Sequence, residues 1–162
     1  MSEAAQNTQP VFSIEKVYVK DLSLEIPNAP QIFLEREAPQ VDIQLHHKTD
    51  GVQEGVYQTI LTVTVTAKVK DKTMFLVEAA QAGIFMVRNV PAGELEAVLG
   101  IACPNILFPY VREVISDVVV RAGFPPVVLS PVNFEAIYQA QRDPQPQPDT
   151  PAVQIITPTT SH

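Results

Sequence analysis

The stretch Tyr57-Gln58-Thr59-Ile60-Leu61-Thr62-Val63-Thr64-Val65-Thr66-Ala67-Lys68-Val69-Lys70 decides the fold. Thr59, Leu61, Val63, Val65, Ala67 and Val69 share one parity; Gln58, Thr62, Thr64, Thr66, Lys68 and Lys70 share the other. Side chains alternate across a strand, so the pattern is a strand with one apolar and one polar face. Its valines and threonines suit a pleated sheet. At ~3.3 Å per residue it would reach roughly 40 Å, long for a small domain. Asp71-Lys72 reverses the chain. Thr73 to Val87 then returns as a strand, with Leu76 and Glu78 on one face and Phe75 and Val77 on the other. So short a connection joins antiparallel neighbours.

Two more strands precede this hairpin. Val41, Ile43, Leu45 and His47 alternate with Asp42, Gln44, His46 and Lys48, up to a turn signal at Thr49-Asp50-Gly51 and a polar loop to Gly55. From Val11 to Glu25, Phe12, Ile14, Tyr18, Leu22 and Leu24 share one parity, with Val17 and Val19 as exceptions and a bend expected near Lys20-Asp21. Asp21 and Glu25 then lie together on the solvent face. Prolines 27, 30 and 39 mark a loop whose apolar members are Ile26, Ile32, Phe33 and Leu34. Such a loop either packs down as a flap or lines a binding surface.

After Val90-Pro91-Ala92-Gly93 the period lengthens. Glu94 to Ala102 reads as a short helix. A longer one follows from about Asn105 or Pro109, since proline is best tolerated in a first turn. Leu107, Val111, Val114, Ile115, Val118 and Ala122 form one face of it, and Ile106, Pro109 and Val120 lie opposite. A helix apolar on both sides needs cover on both. A partner subunit is expected, with Val111 and Val120 assigned to the oligomer interface. Arg121-Ala122-Gly123 is a C-terminal glycine signal. An extended apolar loop follows, with Phe124, Pro125, Pro126 and Val128. Asn133 is placed to cap a last helix from Phe134 to about Arg142. Strands first and helices after give an α+β domain over residues 11–142. Residues 1–10 read as a polar leader. Residues 143–162 read as a proline-rich flexible tail, in which Val153-Gln154-Ile155-Ile156 is a candidate short contact.

The chain has 162 residues, 46% hydrophobic and 18% charged, which fits one globular core. A net charge of −7 argues against nonspecific binding to nucleic acid or anionic membrane and permits a basic partner. A single cysteine excludes an internal disulfide and fits a reducing cytoplasm. No run approaches the ~20 apolar residues that span a bilayer.

No catalytic chemistry emerges. His46 and His47 are neighbours on a strand and point to opposite faces, which does not suit a shared metal. Cys103 has no CxxC partner and no positioned base. Phosphate loops, nucleophile elbows and zinc-helix motifs are absent from the sequence. The expectation is no enzyme, no metal and no cofactor. Two surfaces remain: the acidic face of Asp21, Glu25 and Glu78, suited to a basic partner, and the apolar material of the two loops, suited to apolar segments of another chain.

Four motifs in order carry a resemblance: Lys20-Asp21-Leu22-Ser23-Leu24-Glu25-Ile26-Pro27-Asn28-Ala29-Pro30; Gly83-Ile84-Phe85; Cys103-Pro104-Asn105-Ile106-Leu107-Phe108-Pro109-Tyr110-Val111-Arg112-Glu113; and Phe124-Pro125 with Leu129-Ser130-Pro131-Val132-Asn133-Phe134. Together they resemble SecB, the family of bacterial protein-export chaperones. The resemblance implies a four-stranded antiparallel sheet packed on two main helices, assembling as a dimer of dimers. It implies a cytoplasmic homotetramer that holds unfolded precursor proteins without ATP and passes them to the SecA motor. SecA docking falls by resemblance on Asp21, Glu25, Leu76 and Glu78, and oligomer-sensitive positions fall on Val77, Ala79 and Gln81. Client binding falls on the two loops: Ile26, Pro27, Ile32, Phe33 and Leu34 in the first, Phe124, Pro125, Pro126 and Val128 in the second. A SecB-like chaperone dedicated to an antitoxin, and a non-chaperone oligomeric interaction module, are the alternatives.

Overall fold

A computed structural model of the chain describes residues 8–142. The first seven leader residues and the tail 143–162, with its Val153–Ile156 segment, lie outside the described residues. Strands β1 (Val11–Glu25), β2 (Gln40–Gln53), β3 (Val56–Val69) and β4 (Lys72–Arg88) form one antiparallel sheet in the order β1-β4-β3-β2. Consecutive strands β1 and β2 therefore occupy opposite edges. The 26–39 connection has to cross the end of β4 and β3 to join them, which accounts for its length.

The alternation of β3 holds from Leu61 to Val69, while Ile60, on the other parity, is also buried. Thr59, Leu61, Val63, Val65, Ala67 and Val69 are between 0% and 3% exposed, while the threonines opposite are half-exposed. The reversal into β4 sits one residue earlier than expected, at Lys70-Asp71. Both residues have positive φ (50° and 65°), as a two-residue primed hairpin turn requires. The turn expected at Thr49–Gly51 does not form. Strand β2 runs on to Gln53, and the chain turns at Glu54-Gly55. The long β3 supplies ladder partners out to Val56, and the hydroxyls of Thr49 and Thr59 lie 2.8 Å apart across the strands. A register shift between Gly51 and Gln53 absorbs the irregularity that the turn-prone residues introduce.

Strand β1 explains its own exceptions. Its pairing with β4 skips one residue between Ile14 and Lys16 and another between Val19 and Asp21. Each bulge changes the parity. Phe12 and Ile14, then Val17 and Val19, then Leu22 and Leu24 thus fall on one face, opposite Val87, Phe85, Gly83, Gln81, Ala79 and Val77. Tyr18 joins the other face, where its hydroxyl donates to the Gln58 side-chain carbonyl.

The helical part is more continuous than expected. Helix α1 (Ala92–Ala97) runs through a π turn (Val98–Ala102) into α2 (Cys103–Arg121), so Ala92–Arg121 is one 30-residue helix. Pro109 lies inside it and does not start it. The wide turn falls over the residues just before Pro104, where a proline ring would crowd the carbonyl four residues back. By length and composition this helix could cross a membrane, unlike any stretch read from the sequence. In the structure α2 instead lies on β4 and β3. Leu107, Val111, Ile115, Val118 and Val119 are buried there. Gly83 of β4 permits the approach: a Cβ on it would meet the Leu107 side chain at 2.9 Å. The helix ends in a Schellman cap. Gly123 (φ +94°) donates to the Val120 carbonyl at 3.0 Å and Phe124 to that of Val119 at 3.2 Å. Helix α3 (Phe134–Arg142) begins as expected, with the Asn133 side chain accepting from the Ala136 amide at 3.0 Å.

Candidate docking and client-binding surfaces

The sheet has one face covered by helix and one open face, and the acidic residues lie on the open one. In the β1–β4 ladder Asp21 is opposite Ala80, Ser23 opposite Glu78 and Glu25 opposite Leu76. Glu78 thus sits on the neighbouring strand between Asp21 and Glu25, with Leu76 beside it. Asp21, Glu25 and Glu78 are exposed and Leu76 is half-exposed. Thr64 of β3 donates to the Glu78 carboxylate at 2.9 Å, which fixes that side chain from the other side. The result is an exposed acidic surface with an apolar centre.

The two apolar loops meet at the hairpin end of the sheet. A short 3-10 turn (Gln31–Leu34) presents Phe33, whose ring stacks on Phe124 with centroids 5.0 Å apart. Phe124 in turn lies 5.0 Å from Phe75 of β4. The first loop is tethered at both ends. Asn28 donates to the Thr73 carbonyl at 2.9 Å, and Lys70 reaches Glu35 and Glu37 at 3.7 and 3.5 Å. Leu34 is 80% exposed, and Phe33, Pro27, Pro125, Pro126 and Val128 are also exposed, with Ile26 half-buried. Two residues expected in the lining lie deeper. Ile32 is 2% exposed and belongs to the core, and Phe124 is the floor on which Phe33 rests. In a one-turn 3-10 segment successive side chains diverge, so Ile32 points inward where Phe33 and Leu34 do not.

The expected oligomer positions divide in the same way. Val77, Ala79, Gln81 and Val111 are buried inside the subunit, between the sheet and α2. Any influence they have on assembly has to pass through packing. Val120 faces outward, 52% exposed, with Tyr110 and Pro109 also on the surface of α2. Sequence reasoning missed one uncovered apolar row. The helix-side row of β1 is open: Phe12, Ile14, Val19, Leu22 and Leu24 are 38% to 49% exposed. The signal was present in the two valines that broke the alternation.

The ionisable groups that could suggest chemistry are structural. Burial pushes the Cys103 thiol up to about 12, against a Thr59 hydrogen bond that favours the thiolate. An unreactive thiol results. Burial, with His46 beside it, lowers the pKa of His47, whose ring meets Phe134 edge-on at 6.2 Å. Among the described residues no group of three or more His, Cys, Asp or Glu could hold a metal ion.

Residues 5–145 match the family described as preprotein translocase subunit SecB. The chain belongs to the SecB family. It is 63% identical to the protein-export protein SecB of Nitrosospira multiformis over 160 residues, 97% of this chain and 99% of that protein. The corresponding SecB of Methylobacillus flagellatus is 66% identical over 142 residues, 88% of this chain and 90% of that protein. Among solved structures, a SecB-like chaperone of Mycobacterium tuberculosis in complex with an antitoxin peptide superposes with a TM-score of 0.62. It covers 75% of this chain and 90% of that one at 16% identity, a likeness of fold. The four-stranded antiparallel sheet with one long and one short helix is the SecB architecture.

Proposed function

We propose that the protein is a cytoplasmic, ATP-independent holdase for protein export. It binds unfolded precursors at the apolar loops and delivers them to the SecA motor through the acidic sheet face. Membership of the SecB family, with relatives named as export proteins at 63% and 66% identity, supports the export role over the antitoxin-dedicated one. The observation that carries the division of labour is spatial. Two loops far apart in sequence meet at the Phe33–Phe124–Phe75 stack, while Asp21, Glu25 and Glu78 lie on the open face of the sheet.

The physics needs no catalytic residue. An unfolded precursor exposes apolar side chains, and burying them yields ~25 cal/mol per Å². The client loses chain entropy on binding, so a single segment binds weakly. Several copies of the surface on one oligomer raise the effective concentration and hold the client by avidity. A dimer of dimers supplies those copies. The open row of β1 and the outer side of α2 are the surfaces that a second and third copy would cover. Handover then uses a surface that leaves the client site free, and an acidic field draws in a basic partner.

The test separates the two surfaces. Purified protein should capture a denatured precursor and bind SecA. Leu34→Asp and Phe33→Asp should weaken precursor capture with SecA affinity and native mass unchanged. If neither substitution changes capture, the loop assignment is wrong. If the wild-type protein captures no precursor, the holdase reading is wrong.

A further inference from the structure

We infer that Gln81, buried on the helix side of the sheet, is a positioning residue for Asp21 on the open side. Gln81 is 3% exposed and, among the described residues, is one of two buried polar side chains in the core, with Thr59. It sits opposite Val19 in the β1–β4 ladder, and its side-chain amide donates to the Tyr18 carbonyl at 3.1 Å. The residue skipped immediately afterwards is Lys20, the second bulge of β1. A bulge leaves the ladder locally disrupted. Gln81 adds a bond from β4 to β1 beside that gap.

The facing of the end of β1 depends on this bulge. Tyr18 points to the open face. Simple alternation would put Lys20 and Leu22 on the open face with it, and would turn Asp21 and Glu25 towards the helix side. The bulge reverses this. Asp21 and Glu25 come out beside Glu78, and Leu22 and Leu24 go in beside Ala79 and Val77. A neutral amide held in the core thus sets the direction of a carboxylate on the opposite side of the sheet. Removing the amide frees the bulge to shift along β1 and loosens Asp21 without touching its chemistry.

The inference rests on the SecA-docking reading, and the experiment separates the two. Gln81→Met keeps length and apolar bulk but removes the donor. Gln81→Asn, with an amide too short to reach Tyr18, is the milder substitute should Gln81→Met fold poorly. SecA affinity is measured in a double-mutant cycle with Asp21→Asn and with Glu78→Gln, and amide hydrogen exchange is read over Val19–Leu22. Leu61→Val, a core change opposite Gln81 on β3, serves as a control for lost stability. Gln81→Met should weaken SecA binding about tenfold and speed exchange at Val19–Leu22 with native mass unchanged, and a docking loss that appears only with a changed native mass overturns the inference. The combination of Gln81→Met with Asp21→Asn should lose no more than the larger single effect, whereas that with Glu78→Gln should multiply, as independent sites do. Leu61→Val should leave docking unchanged. Unchanged docking in Gln81→Met, full multiplication with Asp21→Asn, or an equal loss in Leu61→Val overturns the inference while the docking reading stands. No effect of Asp21→Asn alone overturns the docking reading, and the inference with it.

Discussion

Strands β3 and β1 carry the same kind of apolar row, and the two rows end in opposite surroundings. On β3 the row from Thr59 to Val69 is sealed, at 0% to 3% exposure. On β1 the row from Phe12 to Leu24 faces the same side of the same sheet and stays 38% to 49% exposed at five of its six positions. The difference is reach. A helix with its side chains is only ~10 Å wide and strands lie ~4.8 Å apart, so one helix covers about two strands. Helix α2 lies over β4 and β3 and leaves the edge strand open. A row so regular, kept regular by two bulges, is built to be covered. Among the described residues nothing covers it.

Charge substitutions tell the two rows apart, and the largest effect falls on β3. Val65→Asp buries an uncompensated carboxylate at a fully covered site and should cost ~3–5 kcal/mol or prevent folding. Thermal unfolding by circular dichroism reads it. Leu22→Asp, at an equally apolar position on β1, should leave the subunit folded with Tm lowered by no more than about 4 °C. It should still abolish assembly, read as native mass by light scattering. A Leu22→Asp chain that unfolds as completely as Val65→Asp would show that both rows belong to one core, and the contrast would be lost. Next comes the open face. Asp21→Lys or Glu78→Lys should lower SecA affinity about tenfold and flatten its salt dependence, because the surface works by its field. Precursor capture should stay near normal, since the apolar loops are untouched.

The smallest effect concerns pH. Burial lowers the folded-state pKa of His47 below its ordinary 6.5, so between those two values the unfolded chain binds more protons than the folded one. Stability should therefore fall as pH drops through this window and be fully present above it. A scan of Tm from about pH 8 to about pH 5 should slope downwards on the acid side, and His47→Gln should flatten part of the slope. An unchanged slope in His47→Gln would assign it to other groups.

Much of this was legible in the sequence. The parity of β3 and β4 told which side chains would meet the helix, because a strand with one apolar face has one way to sit on a core. The Asn133 cap and the Gly123 stop were equally readable, since each meets a local need of a helix end. Harder to read was any place where two local preferences competed. Asp50-Gly51 favours a turn, yet the ladder to β3 held it in a strand. Pro109 favours a helix start, yet continuous packing against the sheet carried the helix through it. The order of the strands, with β1 and β2 on opposite edges, left no mark in periodicity.

For the candidate site the division is similar. Parity alone pairs Asp21 with Glu25 on β1 and Leu76 with Glu78 on β4, and the resemblance joins the two pairs, but the bulge at Lys20 is what brings them to one face of the sheet. The sequence also determined that two apolar loops existed. Packing settled that those loops meet, that Ile32 turns inward while Phe33 stacks on Phe124, and that Val17 and Val19 join the row of Phe12 and Leu22. The reason is physical. Periodicity is a property of a single strand or helix, whereas a bulge, a ring stack or an uncovered edge is a relation between elements. A relation is fixed only when the elements pack.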